Sequence, residues 1–158
     1  MDRLYRFSPI KSEAALRDVI TYVANQTAKL CHQLIGERYP ITSLTVFSHY
    51  PDEYERLKSV VLSLGRMKTE QNGPYVKLKK PITVSPDTLR FLRVRKPDPY
   101  RMHVGCNDFD VPNYEAFKKT FLDKKAGLRL IERPKYEMIE LYDPDYDVLA
   151  YVVSTPLL

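Results

Sequence analysis

Residues 51–62 read PDEYERLKSVVL, and residues 112–122 read PNYEAFKKTFL. Laid over one another, they place Tyr54 on Tyr114, Glu55 on Glu115, Leu57 on Phe117 and Lys58 on Lys118. Each stretch follows a β-like segment, TSLTVFS (42–48) or HVGCNDFDV (103–111). Each is followed by further segments rich in β-branched and aromatic residues. A repeat of this length implies a duplicated supersecondary unit that hides its apolar surface only by packing against its copy.

Around this repeat the chain reads as strand, helix and several strands, twice. Pro51 suits a first helical turn, Asp52 and Glu53 suit its positive end, and Gly65 suits a stop. Tyr54, Leu57, Val61 and Leu64 form its apolar stripe. YVKLKKPITV (75–84) and TLRFLRVRK (88–96) read as strands, with Pro81 marking an edge or a bulge. In the second copy Pro112 opens a helix carrying Tyr114, Phe117 and Phe121, and Gly127 closes it. LRLIERP, YEMIELYD and VLAYVVS follow as strands. Downstream, RVRKPDPY (93–100) lies over ELYDPDYD (140–147), with Pro97 on Pro144 and Asp98 on Asp145.

Residues 12–36 precede the repeat and read as a long helix. Ser12 caps it, Glu13 suits its dipole and Gly36 ends it. Leu16, Val19, Ile20, Val23, Thr27, Leu30, Cys31 and Leu34 recur at helical spacing. The expected fold is therefore α+β: two strand–helix–strand repeats forming a mixed sheet, with an added N-terminal helix. It is read as a single domain over 1–158, with a helical extension (1–40), a first repeat (41–99) and a second (100–158).

The 158 residues are 44% apolar and 28% charged, which fits a globular chain and excludes a disordered one. No stretch approaches the ~20 apolar residues needed to cross a bilayer, and the first residues carry no apolar leader. No membrane partner is expected, and the location read from this is cytoplasmic. The two cysteines, Cys31 and Cys106, show neither zinc spacing nor a disulfide framework and read as buried thiols. A net charge of +5 favours anionic partners. A homodimer is compatible with all of this.

MHVGCNDFDV (102–111) followed by a helix, and MIELYDPDYDVLAYV (138–152), together resemble the vicinal oxygen chelate superfamily of glyoxalases, bleomycin-resistance proteins and extradiol dioxygenases. The likeness covers roughly residues 41–153. It implies paired strand–helix–three-strand units and a divalent metal, with His103 at the metal-binding histidine of the family's opening strand. The sequence departs from the pattern in three places. Tyr146 stands where glycine is usual, Ala150 where a ligand carboxylate is expected, and Ser43 matches His103 in the first copy.

Side-chain chemistry defines three constellations. Two imidazoles and a carboxylate (His49, His103 and Glu140) could ligate a divalent metal and act as the catalytic set. The competing reading has His49 finishing a helix N-terminus and His103 bonded locally. Arg93, Arg95, Tyr100 and Arg101 could bind the anionic end of a small substrate, since arginine grips carboxylates and phosphates at two points. With Lys77, Lys79 and Lys80 the same strands could instead bind nucleic acid, or serve a metal-dependent nuclease using Asp108 and Asp110. The plain alternative is a solvated edge strand protected by charge. Cys106 and His103, three apart in a strand, point to opposite faces and make no nucleophilic pair. The leading expectation is a small anionic ligand in the sheet concavity, with nucleic-acid binding as the alternative.

Overall fold

The computed structural model describes residues 5–154. Helix α1 (Glu13–Ile35) begins where Ser12 accepts a hydrogen bond from the Ala15 amide (3.1 Å) and ends at Gly36, left-handed at φ 83°. Its buried side is the periodic stripe of the sequence, Leu16 through Cys31, extended by Ala24 and Ile35. Leu34 packs on the rim of the core.

The first copy comprises β1 (Ile41–Phe47), α2 (Pro51–Leu64), β2 (Gly65–Thr69), β3 (Tyr75–Val84) and β4 (Asp87–Arg95). The second comprises β5 (Gly105–Phe109), α3 (Tyr114–Phe121), β6 (Leu128–Glu132), β7 (Glu137–Leu141) and β8 (Val148–Val153). The strands form one eight-stranded mixed sheet in the order β2-β3-β4-β1-β5-β8-β7-β6. Within each copy the first and last strands pair in parallel and the others are antiparallel hairpins. The copies join edge to edge through antiparallel β1 and β5. The repeated helices are equivalent in packing too, since Leu57 and Phe117 are both buried in the same core.

One apolar cluster draws on all three helices and on one face of the sheet. Its strand residues alternate, as with Leu44 and Val46, Leu92 and Val94, and Ala150 and Val152. Helix α1 lies over β1, β5 and β8, across the seam between the copies.

Three sequence expectations change. Strand β2 was not foreseen: GRMKT has the charge of a loop and becomes a strand by pairing with β3. The overlay of Pro97 on Pro144 matches unlike places, because Pro97 follows the fourth strand of its copy and Pro144 the third. The edge-strand reading fails for β4 and for Tyr75–Leu78 of β3, which β2 covers, and holds for the rest of β3, which β2 does not reach. Pro81 sits at a bulge, where the β3–β4 register shifts between Lys77 and Ile82.

Candidate anion site on the helix-free sheet face

Alternation that sends Leu44, Leu92 and Ala150 under the helices sends their neighbours to the opposite face. Two rows of side chains cross that face. One runs Tyr75, Arg93, Thr45, Cys106, Leu149; the next runs Lys77, Phe91, Ser43, Asp108, Tyr151, Glu140, Arg129. Phe47, Tyr75 and Leu149 are buried without belonging to the core under the helices. Neighbouring side chains cover two of them, the Arg93 guanidinium lying over Tyr75 and that of Arg95 over Phe47, and Phe47 also lies beside Tyr5, Ser8 and His49.

Arg93 and Arg95, two apart on β4, both lie on this face. The Arg93 guanidinium lies 4.8 Å from the Tyr75 ring centre and that of Arg95 3.7 Å from the Phe47 ring centre. Tyr75 is itself stacked on Phe91, with centroids 5.5 Å apart and the planes parallel to within 1°. The Arg95 side chain is only 14% exposed, and its nearest carboxylate, Asp98, is 3.8 Å away, beyond hydrogen-bond reach. Arg93 Nε and Arg95 Nη2 are buried with no hydrogen-bond partner. Burial, then the nearby Arg101 charge, pulls the Arg95 pKa below its usual range. Arg101 also acts on Tyr151 and His103, so it stands at the same end of the face. Tyr100 does not join them; it is 95% exposed.

Across this face stands Asp108. Burial raises its carboxyl to about 6, against the pull of Arg93, and it has no hydrogen bond or ion pair among the described residues. Burial likewise pushes the neighbouring Cys106 thiol up to about 12, so it stays protonated and is no nucleophile at neutral pH. In the sequence Asp108 stands out only as a companion of Asp110 in a metal-dependent nuclease, not as a partner of the arginines. The signal was its place opposite an arginine strand, which only the strand order reveals.

The expected metal set is not assembled. Among the described residues no group of three His, Cys, Asp or Glu side chains is arranged to hold a metal ion. His49 is buried, stacked on Tyr5 at 3.9 Å. Its Nε2–H donates to the His103 carbonyl (3.1 Å), which makes Nδ1 the acceptor of the Ser8 hydroxyl (2.6 Å). Both nitrogens are used, leaving no free lone pair for a metal. Burial lowers the His49 pKa, in keeping with this neutral ring. Glu53, also buried, accepts from the His49 and Ile10 amides (2.7 and 2.6 Å). The two side chains pin the N-terminal segment to the start of α2. His49→Ala is expected to lose these bonds and the ring's packing, lowering stability by about 2–4 kcal/mol in urea unfolding.

Glu140 does lie on the helix-free face, but it is engaged, accepting from Tyr151 Oη (2.9 Å) and Arg129 Nη2 (3.1 Å). His103 lines a separate cavity of about 380 Å³ with Tyr22, Gln26, Met102, Tyr142 and Asp147. Its Nδ1 is buried without a partner, and burial followed by Arg101 lowers its pKa. The two histidines are thus neighbours through one backbone carbonyl, with their rings turned to different surroundings. Asp110 is exposed and lies just beyond β5, leaving Asp108 without a carboxylate companion on its strand. Ala150 faces the core under the helices; the next residue, Tyr151, takes the open face.

Among the described residues no helix is long and apolar enough to cross a membrane. No protein-family model matches the chain, and no curated protein matches it. The chain is similar in fold to the solved structure of a structural-genomics target, Protein EC4020, at a TM-score of 0.64 and 13% identity over 97% of this chain and 91% of that one.

Proposed function

We propose that this protein binds a small anionic ligand on the helix-free face of its sheet, through Arg93 and Arg95, with Arg101 at the end of the site. The observation that carries this reading is a pair of guanidinium groups, two residues apart, held against aromatic rings with buried donors unpartnered. A charge taken out of water is unfavourable by several kcal/mol unless it is paired and hydrogen-bonded, and Arg95 has only Asp98 at 3.8 Å, with no hydrogen bond to its Nη2. A carboxylate or phosphate oxygen on the ligand would satisfy these donors. The paired strand–helix–three-strand units and the helix-free sheet face also support reading the chain as a diverged relative of the vicinal oxygen chelate superfamily. In that reading arginines hold the ligand where the family uses a metal.

Nucleic-acid binding is the weaker reading. It needs cations displayed on an open surface, whereas Arg93 and Arg95 are recessed.

The test is Arg95→Met, with glutarate and inorganic phosphate as probes. Saturation at about a hundred times Kd should stabilise the natural protein by ~2.7 kcal/mol, read as a rise in Tm. The variant should lose that rise. Without a ligand it should melt higher than the natural protein, by the equivalent of about 1–2 kcal/mol, because a desolvated charge has been replaced by an apolar chain of similar reach. An unchanged anion response in the variant would refute the site. Steep salt-dependent binding of an oligonucleotide, with no response to small anions, would favour the nucleic-acid reading.

A further inference from the structure

The helix-free face is divided by charge along the seam between the two copies. The first copy contributes Lys77 and Arg93 to the two rows, with Arg95 beside them, and no carboxylate; the second contributes Asp108, Glu140 and Arg129. Glu140 is neutralised by Arg129 and bonded to Tyr151, so Asp108 is the acid left open to a ligand. The groups around it are Arg93 from β4, Tyr75 from β3, Cys106 on its own strand and Tyr151 from β8. None of them gives Asp108 a hydrogen bond, nor does Ser43, paired with it across the seam, whose Oγ accepts from the Tyr75 hydroxyl at 3.3 Å. The strands carrying Arg93 and Asp108 are separated only by β1, so their backbones lie two strand spacings apart, about 9–10 Å. An arginine side chain covers part of that span, and the remainder suits a molecule of amino-acid size.

We infer that the ligand is bipolar: a small amino acid or similar amine-bearing acid, its carboxylate held by Arg93 and Arg95 and its ammonium by Asp108. This rests on the anion site proposed above. A plain anion would satisfy the arginines and leave Asp108 unpaired beside a second negative charge. A ligand carrying its own cation satisfies both at once, and an ammonium in contact with a recessed carboxylate forms the stronger, charge-assisted kind of hydrogen bond.

The experiment is calorimetric titration of the whole chain at pH 7.5 with matched pairs: glutamate and glutarate, β-alanine and propionate, 4-aminobutyrate and butyrate. The amine-bearing member of at least one pair should bind tenfold or more tightly than its amine-free partner. Asp108→Asn should erase that preference while retaining or improving binding of the amine-free acid. Amine-free acids that bind as tightly as their partners, or a preference that survives Asp108→Asn, would overturn the bipolar ligand and leave the anion site standing. If no member of any pair binds, and neither glutarate nor phosphate raises Tm, the anion site fails and the bipolar ligand with it.

Discussion

Gly105→Ala is expected to destabilise the fold by about 3 kcal/mol, near the upper end of what one added carbon does in a packed interior. Gly105 opens β5 at the seam where the copies meet, opposite Val46 on β1 and beside Val148 on β8. A methyl group there would lie 2.4 Å from the Thr45 carbonyl oxygen and 3.0 Å from Val23 Cγ2 of α1. The side chain of Val23 could turn, but the carbonyl belongs to the central strand. Moving it disturbs the β1–β5 ladder, which joins the two halves of the sheet, and the bed on which α1 lies. Urea unfolding should show a lower midpoint with little change in slope. Gly36→Ala is the comparison: a methyl group there meets nothing within 4 Å, and only the left-handed φ of 83° opposes it. Its loss should be about 1 kcal/mol. Equal losses at the two positions would show that the seam tolerates the extra atom.

Asp108→Asn is expected to stabilise the protein above pH 6 and to change little at pH 4. The folded carboxyl titrates at about 6, raised by burial from an ordinary 3.8. At pH 4 and below it is protonated in the folded state, and asparagine mimics that form. Between about 4 and 6 the unfolded chain binds fewer protons than the folded one, so stability falls as pH rises. Above 6 the whole difference is lost, at most about 3 kcal/mol at 1.36 kcal/mol per pKa unit. His49 and His103, both lowered by burial, contribute with the opposite sign: their stabilisation is present above the ordinary imidazole value of about 6.5 and is lost as pH falls. The difference in Tm between variant and natural protein, followed from pH 4 to pH 8, cancels the histidines and isolates Asp108. A difference that stays flat over that range would mean the carboxyl is already ionised at pH 4.

The same substitution joins stability to function. A carboxyl that weakens the ligand-free fold at neutral pH would be stabilised by a cation that meets it, as Arg95 would be by an anion that satisfies its open Nη2. In the proposed site both groups carry unfavourable charge that a ligand would relieve, the usual relation between binding sites and stability.

Helix α1 was legible almost in full, because a cap at Ser12, a stripe at helical spacing and a left-handed stop at Gly36 are all local properties. The equivalence of α2 and α3 was legible for the same reason: residues three and four apart report one helix face. Strand β2 was not, since arginine, methionine and lysine carry no strand signal and only pairing with β3 makes them one. The arginines stand out in the sequence as charge, but on a strand that reads as an edge. Nothing in TLRFLRVRK says that β1 will lie against its other side. His49 carries two readings in the sequence, metal ligand or helix N-terminus, because the partners of its ring, Ser8 and the His103 carbonyl, are 41 and 54 residues away.

The sequence alone determined the helices, the duplication and the alternation that gives each strand an apolar and a polar side, because these follow from chirality, capping and spacing within a few residues. The tertiary structure decided that only β1 separates β4 from β5 and that their polar sides share one face, bringing Arg93 and Arg95 to the same side as Asp108. That juxtaposition is set by strand order and by the edge-to-edge joining of two copies. Both depend on contacts between residues far apart in the chain, and neither leaves a mark on the residues beside them.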